Sequence, residues 1–229
     1  MRLRLASYNI RKAVGLDWRR DPARTLQVIG GLGADIVALQ EADKRLGPRP
    51  AAISRAAIAR ETGLRPVPLA RSPVSLGWHG NAVLVRGDLQ VEDTRLIELP
   101  GIEPRGGVLV RVRTPDGLLT VVGVHLGLRR RCRRLQFATI LDTLGAGIGR
   151  AVILGDFNEW SPDRGIEPLL PRFRVVSPGL SFHASQQVAP LDRFALGPGL
   201  KLLDMGVETG PVARRASDHL PVWTDISLR

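Results

Sequence analysis

The stretch AVILGDFN, residues 151–158, joins an aliphatic run to an aspartate and an asparagine. A short apolar run that ends in turn-forming residues is typical of a strand buried in a sheet. The sequence therefore predicts a buried strand over residues 151–156, with Asp156 and Asn158 presented at its carboxyl end.

Runs of the same kind recur along the chain, with turn signals between them. Helices are predicted over residues 21–31, where Asp21 is the N-cap and Pro22 the first helical residue, and over residues 51–62 and 129–147. Many strands and few helices predict an α/β sandwich, in which two largely antiparallel or mixed sheets carry helices on the outside. The further predicted strands are LRLASY (3–8), DIVALQ (35–40), NAVLVR (81–86), GVLVRV (107–112), LTVVGVHL (119–126), LDRFAL (191–196) and LPVWTDISL (220–228).

Polar side chains stand at the ends of these predicted strands. Buried carboxylates, amides and imidazoles are costly unless they are paired or bound to a cation. Taken singly, each has an ordinary interpretation as a turn former or a solvated residue. Together, oxygen donors with two histidines and no cysteine cluster predict a site for a hard cation such as Mg²⁺ or Mn²⁺. The residues are Asn9, Glu41, His125, Asp156, Asn158, Asp218 and His219.

Length and composition limit the class of protein. The chain has 229 residues, of which 44% are hydrophobic, and we expect one domain over residues 1–229. The absence of an apolar run long enough to cross a bilayer, and of a signal-peptide pattern, predicts a cytoplasmic monomer. A single cysteine, Cys132, cannot form an internal disulfide. The chain contains neither G-x-x-x-x-G-K-[ST] nor G-x-G-x-x-G, so a nucleotide-binding loop has no support.

The chain is strongly basic, with 33 Lys and Arg residues against 22 Asp and Glu residues and a net charge of +11. Such a charge attracts polyanions, which include nucleic acid, anionic lipid head groups and phosphorylated small molecules. Nearly all of the basic residues are arginines, so a codon bias explains the charge equally well.

Six motifs, in order, connect the sequence to a known family: YNI (8–10), ADIVALQE (34–41), GVHLG (123–127), LGDFN (154–158), PLDRF (190–194) and SDHLPV (217–222). Through them the chain resembles the endonuclease/exonuclease/phosphatase superfamily. This superfamily includes DNase I-like nucleases, exonuclease III-type repair enzymes, neutral sphingomyelinases and inositol-polyphosphate phosphatases. The resemblance is greatest to small bacterial members of unassigned substrate. It implies the DNase I-like fold, a four-layer α/β sandwich of two packed sheets flanked by helices.

The resemblance also implies roles for the polar residues. Glu41 resembles the principal Mg²⁺ ligand of the family, with Asn9 and Asp218 as further metal or water ligands. Asp156 and Asn158 occupy positions that orient or activate the attacking water and contact the phosphate.

The histidines have implied roles as well. His219 resembles the family's final histidine, and Asp192 resembles the carboxylate that fixes its tautomer. His125 matches a histidine that binds phosphate or protonates the leaving oxygen. The substrate-binding residues expected from the same resemblance are Arg11, which stands where relatives often carry histidine, Arg105 and Asn81.

The function predicted from this resemblance is hydrolysis of a phosphate ester, above all a phosphodiester, with Mg²⁺ or Mn²⁺ as cofactor. The substrate stays open among nucleic acid, a phospholipid or its head group, and a sugar phosphate. The general base is either the aspartate of GDFN or a histidine. Two alternatives remain: a phosphomonoesterase acting on a small phosphorylated metabolite or a lipid head group, and a non-catalytic relative that binds a polyanion.

Overall fold

Two six-stranded mixed β-sheets pack face to face in the computed structural model, which describes residues 1–161 and 164–229. One sheet has the strand order β11-β12-β1-β2-β4-β3, and the other has the order β5-β6-β7-β8-β10-β9. The strands are β1 (Leu3–Asn9), β2 (Ile36–Gln40), β3 (Leu64–Pro66), β4 (Ala82–Arg86), β5 (Gln90–Leu99), β6 (Arg105–Thr114), β7 (Gly117–His125), β8 (Ala151–Asp156), β9 (Arg174–Val176), β10 (Asp192–Leu196), β11 (Leu200–Val207) and β12 (Val222–Leu228).

Each sheet contains one parallel pair of strands, β1 with β2 and β7 with β8. Parallel neighbours need a crossover connection, which is supplied by helices α1 (Pro22–Gly31) and α3 (Arg130–Leu144). The described part of the chain contains two further α-helices, α2 (Arg55–Thr62) and α4 (Ala213–Ala216). None of the described helices is long and apolar enough to span a membrane.

Three apolar layers hold the sheets and helices together. The central layer lies between the sheets, where Leu5 of β1 and Ile36 of β2 pack with Val121 of β7 and Leu154 of β8. One outer layer joins the first sheet to α1 and α2, and the other joins the second sheet to α3. Because successive side chains of a strand point to opposite faces, each central strand contributes to two layers. The predicted four-layer sandwich is therefore confirmed.

Local signals set where the helices begin and end. The side chain of Asp21 accepts a hydrogen bond from the Arg24 amide at 3.0 Å, which caps α1 as predicted. Helix α2 begins later than the predicted residue 51, because the Ser54 hydroxyl accepts from the Ala57 amide and serves as N-cap. Helix α3 ends before the predicted residue 147, because Gly145 adopts a positive φ of 50° after the last turn.

Candidate active site

Strand pairing brings the predicted polar residues to one edge of the sandwich. In the second sheet Asp156, at the end of β8, lies opposite His125 of β7 on one side and opposite Asp192 of β10 on the other. In the first sheet Asn9 is the last residue of β1, and His219 precedes β12, which runs antiparallel to β1. The carboxyl ends of the two parallel pairs therefore share one rim.

Asp156 lies at the centre of this cluster and is 1% exposed. Its Oδ2 accepts a hydrogen bond from Asn9 Nδ2 at 3.1 Å and lies 3.3 Å from His125 Nε2 and 3.7 Å from His219 Nε2. Its Oδ1 accepts from the Asn158 amide at 2.9 Å. Asn158 in turn donates from Nδ2 to the Leu126 carbonyl at 2.8 Å, which ties the loop after β8 to the loop after β7.

His219 is held by the predicted carboxylate partner. Its Nδ1 lies 2.8 Å from Asp192 Oδ2, and the Ser181 hydroxyl donates to the same oxygen at 2.6 Å. Burial alone lowers the pKa of His219, but the charges of Asp192 and Asp156 outweigh it and raise that pKa to about 9. His219 is therefore a cation at neutral pH.

His125 differs from His219 in its charge state, although it also lies beside Asp156. Burial lowers the pKa of His125 to about 3 against the attraction of Asp156, and Arg105 and His219 lower it further. At neutral pH its ring is uncharged. One aspartate thus lies between a charged imidazolium and a neutral imidazole.

Two groups of side chains have donors suited to a divalent cation. Asp156, Asp192 and His219 each offer a ligand atom, these atoms lie within 4.8 Å of one another, and the three residues could hold a metal ion. The second group contains Glu41 and Asp218, the carboxylates expected from the family motifs.

In the second group, each carboxylate is paired with a cation from one short segment. The Lys12 ammonium pairs with Glu41, and Arg11 Nε lies 3.5 Å from Asp218 Oδ2. Asn9 Oδ1 accepts from the Arg11 amide at 3.2 Å. Glu41 already stabilises the positive charge of the Lys12 ammonium. Because the donors of this group are oxygens, the group fits a hard cation.

A cavity of about 450 Å³ opens beside Glu41 and His125. Arg105 lines it, and the Nε of this residue is buried without a hydrogen-bond partner among the described residues. Burial lowers the pKa of Arg105, which the charges of Asp156 and Glu103 oppose. The other basic residues that line the cavity are Lys12, Lys44, Arg45 and Arg49. Such a lining suits an anionic ligand.

The structure places Asn81 in a tight turn before β4. Its Nδ2 donates to the Gly106 carbonyl at 2.8 Å, which anchors this turn to β6. Its Oδ1 is buried and has no hydrogen-bond partner among the described residues. The role of Asn81 in substrate binding stays a prediction.

Sequence reasoning missed three residues of the site. Lys12 pairs with Glu41. Its position directly after Arg11, close to the YNI motif, could have indicated that it belongs to the site. Ser181 supports Asp192, and the ring centre of Phe182 lies 5.0 Å from that of His219. No local pattern indicates these two contacts, because they arise where the loop before β10 folds back over the site.

Comparisons with known proteins agree with this geometry. Residues 6–219 match the sequence model of the Endonuclease/Exonuclease/phosphatase family. The chain is 32% identical over 170 residues to the uncharacterized protein YbhP of Escherichia coli K12, a match that covers 66% of this chain. It covers 64% of that relative, which is less than two thirds of its length.

Solved structures share the fold at lower sequence identity. An endonuclease/exonuclease/phosphatase from Beutenbergia cavernae is 22% identical with a TM-score of 0.75, over 99% of this chain and 72% of that one. A mannosyl-6-phosphatase from Bacteroides thetaiotaomicron is 17% identical with a TM-score of 0.75, over 99% of this chain and 100% of that one. At these identities the likeness establishes the fold and leaves the substrate to be argued from the site.

Proposed function

The chain belongs to the Endonuclease/Exonuclease/phosphatase family, and from this membership we propose that it is a divalent-metal-dependent phosphoesterase that hydrolyses phosphodiester bonds. The observation that carries the proposal is the position of Asp156. Its buried carboxylate lies within 3.7 Å of both histidine rings and accepts a hydrogen bond from Asn9. The cavity beside this cluster is lined by cationic side chains. Buried carboxylate–histidine clusters in a cleft are candidates for acid–base chemistry.

The charge states divide the work among these side chains. His219 keeps its proton at neutral pH, so it acts as a hydrogen-bond donor and a positive charge near the phosphoryl oxygens. Asp156 is then the group placed to orient the attacking water and to accept its proton. The neutral His125 and the side-chain NH₂ of Asn158 would add hydrogen bonds to the phosphate.

A divalent cation would be held by Glu41 with Asn9 and Asp218, and Mg²⁺ or Mn²⁺ suits these oxygen donors. When bound, the ion would neutralise the phosphate and stabilise negative charge on the departing oxygen. The ion would replace Lys12 at Glu41 and Arg11 at Asp218, and the two released cations would bind the anionic substrate. Arg105 would bind the phosphate directly, because its buried Nε has no partner among the described residues.

A second candidate activity is hydrolysis of a phosphomonoester. The five basic residues that line the cavity also suit the two negative charges of a monoester. The fold is compatible with this chemistry, since one solved structure of the same fold is a mannosyl-6-phosphatase. A monoester reacts through a looser transition state than a diester, so a diester depends more on hydrogen-bond donors that stabilise the charge developing on its phosphoryl oxygens. The two histidines at Asp156 therefore favour the diester.

The test is a hydrolysis assay with two soluble aryl substrates. Bis(p-nitrophenyl) phosphate and p-nitrophenyl phosphate would be compared with Mg²⁺, with Mn²⁺ and with a chelator. The control is Asp156→Asn, which preserves the shape of the side chain and removes its charge. We expect faster diester hydrolysis that the chelator abolishes and that falls by roughly 10²-fold or more in the variant. A preference for the monoester would assign the protein to the phosphatases. A folded protein that hydrolyses neither ester would be a non-catalytic polyanion binder.

A further inference from the structure

Exposed apolar side chains collect around the rim of the site. Among the residues that the structure describes, the five most exposed large hydrophobic side chains all lie in loops at this end of the sandwich. They are Leu46 (85% exposed), Trp18 (78%), Ile102 (69%), Leu128 (64%) and Trp160 (59%). Single exposed hydrophobic residues are ordinary, but an apolar cluster around one site is not.

The two tryptophans are joined to the site by direct contacts. The Arg11 guanidinium lies 4.4 Å from the ring centre of Trp18, and the same arginine is paired with Asp218. On the other side, the ring centre of Trp160 is 5.9 Å from that of Phe182, whose own centre is 5.0 Å from His219. Both tryptophans therefore stand beside the catalytic cluster.

The aliphatic side chains border the same opening. Leu46 and Ile102 line the cavity that Glu41 and His125 also line. They come from different sheets, since Leu46 follows β2 and Ile102 lies in the turn between β5 and β6. Leu128 follows β7 by three residues, in the loop that leads to α3. Exposed apolar side chains from loops of both sheets thus surround the opening of the cavity.

Basic residues flank two of these apolar side chains in the sequence. Lys44 and Arg45 precede Leu46 directly, and Arg129 and Arg131 follow Leu128. All four basic residues are exposed, and none of them pairs with a carboxylate in the described part of the chain. A ring of apolar tips with free cations beside them matches the two properties of an anionic bilayer surface, a charged head-group layer above a hydrocarbon layer.

We propose that this rim docks on an anionic lipid bilayer, so that the substrate of the site is the phosphodiester of a membrane phospholipid. The substrate assignment depends on the proposed diesterase function, whereas the docking surface does not. Nucleic acid explains the observations less well. Stacked bases would use Trp18 and Trp160, but the exposed Leu46, Ile102 and Leu128 offer a polynucleotide neither stacking nor charge. Hydrocarbon buries all five side chains.

The test is co-sedimentation of the full chain with vesicles of phosphatidylcholine alone and of phosphatidylcholine mixed with phosphatidylglycerol. The rim variant is Leu46→Ser with Ile102→Ser. Its matched control is Leu170→Ser with Leu203→Ser, because these two leucines are also exposed, at 52% and 43%, and lie outside the rim. We expect binding to the mixed vesicles only, with the partition coefficient reduced by roughly tenfold or more in the rim variant and unchanged in the control.

Two outcomes overturn the docking proposal. One is failure of the wild-type chain to bind the mixed vesicles, and the other is equal binding by the rim variant and the wild type. Binding of a single-stranded oligonucleotide that the rim variant loses, without vesicle binding, would assign the rim to nucleic acid. Vesicle binding is measured without turnover, so it is independent of the esterase assay. A chain that binds vesicles and hydrolyses the soluble diester but leaves phospholipid intact would overturn the substrate assignment alone.

Discussion

His219 Nδ1 lies 2.8 Å from Asp192 Oδ2, and both side chains are buried although 27 residues separate them in the sequence. A buried imidazolium is stable only where a carboxylate compensates its charge. Asp192 supplies this charge, and it also fixes which ring nitrogen faces Asp156. Asp192 therefore positions the His219 ring toward Asp156 and also compensates its charge.

The first prediction concerns Asp192, whose charge compensates that of His219. In Asp192→Asn, His219 loses its compensating partner, and we expect turnover of the soluble diester to fall by roughly 10²-fold or more. The measurement is kcat together with a thermal melt. Asp225→Asn is the control, because Asp225 is another fully buried carboxylate whose partners are Arg2 and Arg4. Equal turnover per folded molecule in both variants would contradict a role for Asp192 in the reaction.

The second prediction concerns competition between Lys12 and a divalent ion at Glu41. Removing the ammonium in Lys12→Met eliminates a competing cation, so Mg²⁺ should bind more tightly. A partly exposed ion pair contributes about 0.2–1 kcal/mol, which corresponds to a Kd that falls by roughly 1.5–5-fold. Isothermal titration calorimetry measures this change. Lys201→Met is the control, since Lys201 is exposed on β11.

The same titration locates the metal. Glu41→Gln should abolish Mg²⁺ binding if Glu41 is the principal ligand. Retained binding in Glu41→Gln, with loss in Asp192→Asn, would move the ion to the group formed by Asp156, Asp192 and His219. Unchanged affinity in Lys12→Met would show that the ammonium and the ion do not share Glu41.

The central strands could be predicted from the sequence because both of their faces are buried. Strand β8 is buried at every position, and the residues that precede its final Asp156 form an unbroken apolar run. The strands missed, β3, β5, β9 and β11, are short or exposed. Most of the residues of β5, QVEDTRLIEL, are exposed, and their order follows no simple alternation. Edge strands are specified by pairing with a neighbour, which local sequence does not show.

Some residues of the candidate site could be predicted from the sequence, and others could not. Asn9, His125 and Asp156 end apolar strands, so their convergence follows from strand direction and could be predicted. Ser181 and Trp160 lie in long loops, and their contacts depend on how those loops fold over the rim. The charge states of the two histidines were also beyond sequence reasoning, since they depend on burial and on carboxylates distant in the chain.

The third prediction uses pH to test a buried ion pair beside the site. Glu159 is 2% exposed and accepts hydrogen bonds from Arg130 at 2.9 Å and from Arg133 at 2.5 Å. Burial opposes ionisation, but hydrogen bonds from Arg130, the Ser161 amide and Arg133 lower the pKa of Glu159 from 4.5 to about 2. A lowered pKa means that the ionised carboxylate stabilises the fold above about pH 4.5 and that this contribution disappears as the pH falls toward 2.

Glu159→Gln should therefore lower the free energy of unfolding at pH 7 by roughly 1.5–3 kcal/mol, the range for a hydrogen bond to a charged group. The difference between variant and wild type should stay constant above pH 5 and narrow below the ordinary pKa of 4.5. Urea denaturation across this pH range measures it. Glu61→Gln is the control, because Glu61 is exposed and pairs only with the exposed Arg60 among the described residues. A difference independent of pH would show that Glu159 acts through packing alone.

The last prediction distinguishes two roles for His125, phosphate binding and protonation of the leaving oxygen. An acid that delivers a proton must carry one at neutral pH, and burial lowers the pKa of His125 to about 3. His125 is therefore suited to hydrogen bonding and not to proton delivery. We expect His125→Ala to slow a dialkyl diester, which has a poor leaving group, and a bis-aryl diester, which has a good one, by the same factor, roughly 10-fold to 10²-fold. His125→Asn, which keeps an amide donor at this position, should restore part of the activity on both. The measurement is kcat for the two diesters at saturating Mg²⁺ in the wild type and both variants. A much larger loss on the substrate with the poor leaving group, without rescue by asparagine, would instead make His125 the leaving-group acid and would require substrate binding to return its pKa toward neutrality.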